Sequence, residues 1–111
     1  LCRRFDPAPH HKKLHRNVEL FSFMEIFKIY ILYSESSEKT YVGYTNDMER
    51  RLWEHNNHPQ KSFTSRYRPW IVIYTEEFES KKEAMTREKW FKSGVGREYK
   101  KIILAKYLNN I

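Results

Sequence analysis

Two segments rich in aromatic and β-branched residues lie close together in this chain and dictate how it begins to fold. They span residues 27–33 and 40–44, and only a polar stretch at residues 34–39 separates them. Side chains of these types favour the extended backbone of a β-strand. Because the stretch between them is turn-like, the two strands are predicted to pair as an antiparallel hairpin.

A helix is predicted directly after the second strand. Asn46 and Glu49 have the spacing of a capping box, in which two side chains satisfy free N–H groups of the first helical turn. The helix is expected to end near Asn56, because Pro59 follows shortly after. A basic loop over residues 61–68 is expected next.

The rest of the chain predicts one more strand and two more helices. Residues 70–75 form a short apolar run, which is typical of a buried strand. A second capping box at Ser80 opens a helix to Lys92, which Gly94 is expected to close in a left-handed conformation. A last helix is predicted over residues 97–108. The order ββαβαα predicts an α/β (α+β) fold, a small, mainly antiparallel three-stranded sheet flanked by helices.

Length and composition point to one basic domain. The 111 residues include 40% hydrophobic and 16% aromatic side chains, which is enough for a packed core. The formal charge of +7 favours polyanionic partners, nucleic acid first and an acidic membrane second. No apolar run approaches the ~20 residues that span a bilayer, so no membrane partner is expected. The single cysteine excludes an internal disulfide, and without a recognisable secretory signal a cytoplasmic location is expected.

The first 23 residues differ in character from the rest. They hold three of the five histidines and two of the four prolines, and they show no convincing periodicity. The chain begins with Leu1, whereas Met24 stands just before the first ordered-looking segment. Residues 1–23 are therefore expected to be a loosely ordered N-terminal extension, as a misplaced start would produce, and residues 24–111 to form the domain.

The segment after the second strand combines residues that bind phosphate. Arg51 and His55 are four residues apart, so they project from one face of the predicted helix. Gly43 lets a backbone or a ligand approach the end of the strand that carries Tyr41. The planar guanidinium of arginine can meet two phosphate oxygens at once. Each residue alone also fits a solvated helix face or a core aromatic, so it is their order that indicates a phosphate site.

Glu88 is a second, independent feature. Helical spacing places it between Ala84 and Met85, within the apolar face that these residues share with Phe91. A carboxylate in that position needs a partner. An ion pair with Arg87 or a nearby lysine and a single Mg²⁺-type site both satisfy this requirement, and the spacing leaves the choice open.

The combined pattern resembles the GIY-YIG nuclease domain over about residues 26–100. It is closest in pattern to short, stand-alone bacterial domains of that family. One departure is that Lys28 occupies the position of the first glycine of the family name. The segments that carry the resemblance are residues 28–30, 41–43, 41–56 and 87–94, with Arg51, His55 and Glu88 as single positions.

The resemblance implies a role for each matching position. It makes Arg51 the residue that steadies the scissile phosphate, and His55 one that helps to position a group or relay a proton. Glu88 becomes the sole protein ligand of a divalent ion, Mg²⁺ or Mn²⁺. The tyrosines form a pair in which Tyr41 is the preferred general base and Tyr30 the alternative. The implied catalytic residues are thus Tyr30, Tyr41, Arg51, His55 and Glu88, with Gly43 as the close-approach position.

The resemblance therefore implies a metal-dependent endonuclease that hydrolyses DNA phosphodiester bonds, in a process such as repair or recombination. A non-catalytic nucleic-acid-binding module of the same fold and a structural domain are the alternatives. Single-stranded, branched, duplex or RNA substrates are all compatible, and specificity is expected from a protein partner or from DNA shape. The side chains expected to contact nucleic acid are Lys61, Arg66, Tyr67, Arg68, Lys89, Lys92 and Arg97.

Overall fold

The fold is an open three-stranded antiparallel sheet with helices packed on both faces. It is seen in a computed structural model, which describes residues 25–110; the predicted extension at residues 1–23 lies outside them. The strand order is β2-β1-β3, and both pairings are antiparallel. The elements are β1 (Phe27–Ser34), β2 (Lys39–Thr45), α1 (Met48–Asn57), α2 (Phe63–Arg66), β3 (Ile71–Phe78), α3 (Lys81–Phe91) and α4 (Gly94–Asn109). The predicted α+β fold class and the hairpin are confirmed, and a single helical turn, α2, interrupts the predicted loop.

The central strand β1 divides the interior into two cores. Successive side chains of a strand point to opposite faces, so Ile29 and Ile31 pack against α3 and α4. Tyr30 and Leu32 point the other way and pack with Trp70. The aromatic and β-branched composition that predicts this strand is therefore used on both of its faces.

The start of α1 differs by one residue from the prediction. The N-cap is Asp47, whose Oδ1 accepts the backbone N–H of Arg50 at 3.1 Å, and not Asn46. The Thr45 hydroxyl accepts the Asp47 N–H at 3.0 Å, which carries the turn one residue further before the helix begins. Asn46 instead donates its side-chain amide to Glu25 at 2.6 Å. The predicted capping box at Asn46 is wrong because aspartate at the next position is an equally good cap.

The junction of α3 and α4 is tighter than predicted. Ser80 caps α3 as expected by accepting the Glu83 N–H at 3.1 Å. Gly94, however, has no left-handed conformation and does not close α3. It is the first residue of α4, whose N-cap Ser93 accepts the Gly96 N–H at 3.3 Å. The last helix therefore begins three residues earlier than predicted. The prediction used Gly94 as a helix end, whereas the Ser93 hydroxyl caps the start of the next helix.

Gly96 explains how closely the two helices approach. A Cβ atom at this position would overlap the Trp90 carbonyl and the Cα of Phe91. Only a glycine leaves room for the first turn of α4 against the last turn of α3. This buried contact fixes the angle at which α4 returns to the sheet.

The third strand is longer and less buried than predicted. It runs to Phe78 at the edge of the sheet, and most of its side chains are only half-buried. The buried aromatic residue, Trp70, lies just before the strand and donates its indole N–H to the Thr64 carbonyl at 2.7 Å. The most buried strand is β1, with six of its eight residues buried, since it is the central strand of the sheet. No helix between residues 25 and 110 is both long and apolar enough to cross a bilayer.

Candidate active site

A buried tyrosine and a buried histidine form the base of the site. The hydroxyl of Tyr30, on β1, lies 2.8 Å from Nε2 of His55, on α1. The other ring nitrogen of His55, Nδ1, lies 3.0 Å from the hydroxyl of Thr64 on α2. Three elements thus meet in one chain of hydrogen bonds, and the histidine uses both of its nitrogens inside the protein.

Gly43 makes room for this tyrosine. It pairs directly with Tyr30 across the hairpin. A Cβ atom at Gly43 would lie 2.5 Å from the Tyr30 hydroxyl oxygen, 2.7 Å from its Cζ and 3.1 Å from Cε2 of Tyr41. The group that approaches the glycine is therefore the Tyr30 ring, where the sequence pattern suggested a backbone or a ligand.

Burial keeps both members of the pair uncharged. It raises the pKa of Tyr30 to about 12; the neighbouring Arg51 opposes this rise, and Tyr41 and Glu88 add to it. Burial also lowers the pKa of His55 to about 4, and the positive charge of Arg51 contributes in the same direction. At neutral pH Tyr30 is a phenol and His55 a neutral imidazole. The hydrogen-bond network that they form therefore carries no charge.

Arg51 lies at the boundary between this buried network and solvent. Its Nη1 donates to Oε1 of Glu54 at 3.0 Å, and the side chain is 41% exposed. Burial alone would lower the pKa of the guanidinium, but its interactions with Tyr30 and Glu54 raise it overall. The cation therefore stabilises the buried network electrostatically and is also open to an incoming anion.

Tyr41 covers the buried pair on the side that opens to solvent. Its ring centroid lies 5.0 Å from that of His55 and 6.4 Å from that of Tyr30. Tyr41, Arg51 and His55 all line one open cavity of about 330 Å³. The structure thus brings together four of the five residues that the sequence pattern singled out, Tyr30, Tyr41, Arg51 and His55.

Glu88, the fifth, lies on α3 and does not line this cavity, although its charge adds to the raised pKa of Tyr30. Its Oε2 lies 3.4 Å from Nζ of Lys92, and its side chain is 20% exposed. Met85 is exposed, so the predicted apolar face is narrower than the spacing indicated, and Glu88 lies at its edge.

The fit to a metal ion follows from this environment. No cluster of three or more histidine, cysteine or acidic side chains that could hold a metal exists among residues 25–110. A single partly exposed carboxylate, held only by a long ion pair, fits a hydrated hard cation that keeps most of its water ligands.

A buried ion pair that the sequence did not reveal lies directly beside Glu88. Arg87 donates to both carboxylate oxygens of Glu76, on β3, at 2.8 and 3.0 Å. Tyr74 donates to Glu76 as well, at 2.5 Å, and the guanidinium lies 4.2 Å from the ring centroid of Trp90. The ion-pair alternative for Glu88 therefore involves Lys92 and not Arg87.

The side chains expected to contact nucleic acid divide into two groups. Arg68 is engaged internally, since it donates to the backbone carbonyls of His55 at 2.7 Å and His58 at 2.5 Å and so holds the C-terminal end of α1. Tyr67 packs on Phe63 with ring centroids 5.1 Å apart. The remaining residues are exposed: Lys61, Arg66, Lys89, Lys92 and Arg97.

Sequence reasoning missed two residues of the site, Thr64 and Phe63. Thr64 is buried and holds the His55 ring, whereas Phe63 lines the cavity beside Tyr41. Both lie in the segment predicted as a loop. The signal that would have found them is the Ser62–Ser65 spacing, which builds a capping box and one helical turn.

The site has two tyrosines on neighbouring strands and a helix that carries an arginine and a histidine. This arrangement is the one that the sequence pattern indicated for a nuclease catalytic domain. Residues 26–101 match the profile described as the GIY-YIG catalytic domain. The chain belongs to the GIY-YIG family, whose members are generally nucleases.

Several curated proteins are similar in sequence. A UPF0213 protein of Limosilactobacillus reuteri (strain DSM 20016) is 35% identical over 82 residues, which cover 72% of this chain and 84% of that protein. The UPF0213 protein YazA of Bacillus subtilis (strain 168) is 36% identical over 63% of this chain and 70% of its own length. Protein L300 of Acanthamoeba polyphaga mimivirus is 32% identical over 79% of this chain, and 56% of the viral protein is covered.

A solution NMR structure of the UPF0213 protein BH0048 from Bacillus halodurans is 30% identical in sequence. The match covers 73% of this chain and 85% of that one, with a TM-score of 0.43.

Proposed function

We propose that this protein is a divalent-metal-dependent endonuclease that hydrolyses DNA phosphodiester bonds, in a process such as repair or recombination. The observation that carries the proposal is that Tyr41, Arg51 and His55 line one cavity, while the buried Tyr30 hydroxyl lies 2.8 Å from Nε2 of His55 directly behind it. Two phenols, a guanidinium and one carboxylate can supply the base, the charge stabiliser and the cation ligand for hydrolysis of a phosphodiester.

The two tyrosines take different roles in this mechanism. A phenol with a pKa near 12 rarely loses its proton at neutral pH, so Tyr30 is assigned to orientation. Its hydroxyl lies 2.8 Å from Nε2 of His55, and through this hydrogen bond it orients the imidazole that lines the cavity. Tyr41 lines the open cavity and is assigned as the general base that takes the proton of the attacking water.

Arg51 stabilises the charge that develops on phosphorus. Its pKa is raised further by Tyr30 and Glu54 although burial opposes this, so it stays charged throughout. Because its side chain is still 41% exposed, the guanidinium can reach two oxygens of a phosphate in the cavity. Loss of one such donor typically slows a reaction by ~10²–10³.

Glu88 is assigned as the carboxylate that holds the divalent ion, in place of its long contact with Lys92. When bound, that ion supplies Lewis-acid stabilisation of the phosphate and of the leaving oxygen. Lys92, which is exposed beside Glu88, can contact a neighbouring phosphate of the DNA backbone.

The test is cleavage of single-stranded, duplex and branched DNA with Mg²⁺ or Mn²⁺. Arg51→Ala and Tyr41→Phe are each expected to lose at least ~10² in rate. Glu88→Gln is expected to lose metal-dependent cleavage. Its matched control is Glu98→Gln, because Glu98 makes a comparable 3.3 Å ion pair with Lys101 on α4.

Tyr44→Phe serves as the control for Tyr41→Phe, since Tyr44 is on the same strand but packs in the opposite core. Cleavage by Glu88→Gln at the wild-type rate with Mg²⁺ would remove the metal assignment. DNA binding without cleavage of any of the three substrates would instead identify a non-catalytic nucleic-acid-binding module.

A further inference from the structure

The cavity beside Tyr41 has more room than a scissile phosphate needs. Its volume of about 330 Å³ is at the lower end of the ~300–1,000 Å³ typical of small-molecule sites. One wall is catalytic, formed by Tyr41, Arg51 and His55. Phe63, which lies next to Tyr41, and a polar rim that includes Gln60 and Lys61 complete the lining.

Phe63 is a large aromatic side chain that remains 45% exposed. Its position is fixed by three other rings, because its centroid lies 6.2 Å from Tyr41, 5.1 Å from Tyr67 and 6.3 Å from Trp70. The Phe63 and Tyr41 planes are inclined by only 26°. A ring that its neighbours hold in place and that still remains 45% exposed is preorganised to stack on a planar ligand.

The helical turn that carries Phe63 is tied to the catalytic network. Ser62 and Ser65 form a capping box, with the Ser62 N–H donating to the Ser65 hydroxyl at 2.9 Å. Thr64, the next residue after Phe63, lies 3.0 Å from Nδ1 of His55. The position of the aromatic wall is therefore set relative to the catalytic wall.

The rim supplies groups for the edge and the backbone of a nucleotide. The Gln60 side-chain amide offers both a donor and an acceptor, and Lys61 adds a cation. In this one cavity the aromatic face can stack on the base, the rim amide can bind the edge of the base, and the arginine can bind the phosphate. A base inside a duplex is stacked and paired, so only an unpaired base can enter.

We propose that this cavity binds an unpaired nucleobase of the DNA strand, stacked on Phe63, next to the phosphodiester that Arg51 holds. The site rests on the proposed function for the position of the cut phosphate. It makes single-stranded DNA, or a duplex with an unpaired nucleotide, the substrate class. Fully paired duplex leaves the cavity empty and binds through its phosphates alone.

The experiment compares two strands that carry the same phosphates. The first is a short oligothymidine, and the second is the same sugar-phosphate strand with abasic positions throughout. Binding is measured without divalent ion, so that no cleavage takes place. Wild-type protein is expected to prefer the oligothymidine, and Phe63→Ala is expected to weaken that preference by roughly 5- to 100-fold, the range for one base–aromatic stack.

Two further variants separate stacking from folding. Phe63→Leu keeps an apolar side chain without a ring and is expected to lose the preference, whereas Phe63→Tyr is expected to keep it. Trp53→Ala is the matched control, because Trp53 is a 58% exposed aromatic residue outside the cavity. Thermal melting of each variant shows that the fold is intact.

Equal affinity of the wild-type protein for the two strands overturns the proposal, as does a Phe63→Leu variant that retains the preference. These outcomes are independent of the cleavage assay. A base preference without metal-dependent cleavage supports the cavity and contradicts the nuclease function. Cleavage without any base preference supports the nuclease function and removes the cavity.

Discussion

His55 illustrates how a single residue can combine structural and chemical roles. Both ring nitrogens lie within hydrogen-bonding distance of buried hydroxyls, on Tyr30 and Thr64. A protonated ring would place a charge beside the Arg51 guanidinium in a buried site. The neutral form is therefore part of the folded state, and the proton affinity of His55 is coupled to stability.

We expect the free energy of unfolding to decrease as the pH falls from about 6.5 to about 4. The pKa of His55 is lowered from 6.5 to about 4, first by burial and then by Arg51. In this window the unfolded chain binds the proton and the folded protein does not, so acid favours unfolding, by up to about 3 kcal/mol. Above pH 6.5 this contribution to stability is fully present.

Urea unfolding of the wild-type protein and of His55→Gln across this pH range measures the effect. Glutamine does not titrate, so the difference in unfolding free energy between the two proteins should shrink as the pH is lowered. If the unfolding free energies of the two proteins changed in parallel with pH, the lowered pKa of His55 would be contradicted.

The absence of a side chain at Gly43 leaves the space that the Tyr30 ring occupies. We expect Gly43→Ala to displace the buried Tyr30 ring and to destabilise the protein by about 1–3 kcal/mol, as overpacking of a core does. Loss of cleavage is expected with it, because the Tyr30–His55 hydrogen bond shifts. Gly94→Ala is the control, since nothing lies within 4 Å of a Cβ there. Equal melting temperatures for the two variants would argue against a crowded Gly43.

On the scale of elements, α3 is held to the sheet by charge as well as by apolar packing. Arg87 forms two hydrogen bonds with buried Glu76 on β3 and stacks on Trp90. Two parallel hydrogen bonds between a guanidinium and a carboxylate have a stricter geometry than an apolar contact. The pair of Arg87 and Glu76 therefore favours one orientation of α3 on the sheet. Because Glu88 follows Arg87 directly, this pair also orients the proposed metal ligand.

Glu76→Ala is expected to lower the free energy of unfolding by about 3 kcal/mol, because it leaves Arg87 half-buried without its partner. The lower end of the usual range applies, since Arg87 is still 23% exposed. The neighbouring Glu77→Ala breaks a solvent-exposed 3.6 Å pair with Lys28 and should change stability by no more than about 1 kcal/mol. Chemical denaturation of both variants gives the comparison, and a similar loss for each would remove the special role of Glu76.

On the scale of the whole molecule, the basic residues behind the net charge of +7 differ in whether they are exposed or engaged in the interior. Arg68 and Arg87 are basic in sequence but serve the interior, one at the end of α1 and the other on α3. Exposed Arg66 and Lys61 lie near the cavity and are available to phosphates. The charge of Arg87 is balanced by Glu76 within that total, and Arg68 is directed to the interior, so DNA binding depends on the exposed basic residues.

DNA affinity is expected to fall steeply as salt increases, because bound phosphates release counterions. Arg66→Ala should reduce the slope of log affinity against log salt by about 1, with no change in melting temperature. Arg68→Ala should instead lower the melting temperature, since it leaves backbone carbonyls of α1 unsatisfied. A salt-independent affinity, or a stable Arg68→Ala protein with a reduced slope, would reverse these assignments.

Local patterns in the sequence determined the fold class, the hairpin and the approximate extent of the main helices. They succeed because strand and helix preferences depend on near neighbours, as in the β-branched segment at residues 27–33. The residue pattern itself singled out Tyr41 and Glu88, and the resemblance to a family added Tyr30 and the catalytic roles. The same local patterns misjudged Asn46 and Gly94, where adjacent polar side chains offered equally good caps.

Only the tertiary structure decided how those residues act on one another. Tyr30 and His55 are 25 residues apart in the chain, and Arg87 and Glu76 are 11 apart on different elements. Their protonation and their contacts depend on burial and on packing between elements, which no local pattern encodes. Sequence determines which chemistry is available, and the packed interior determines which groups remain charged and accessible.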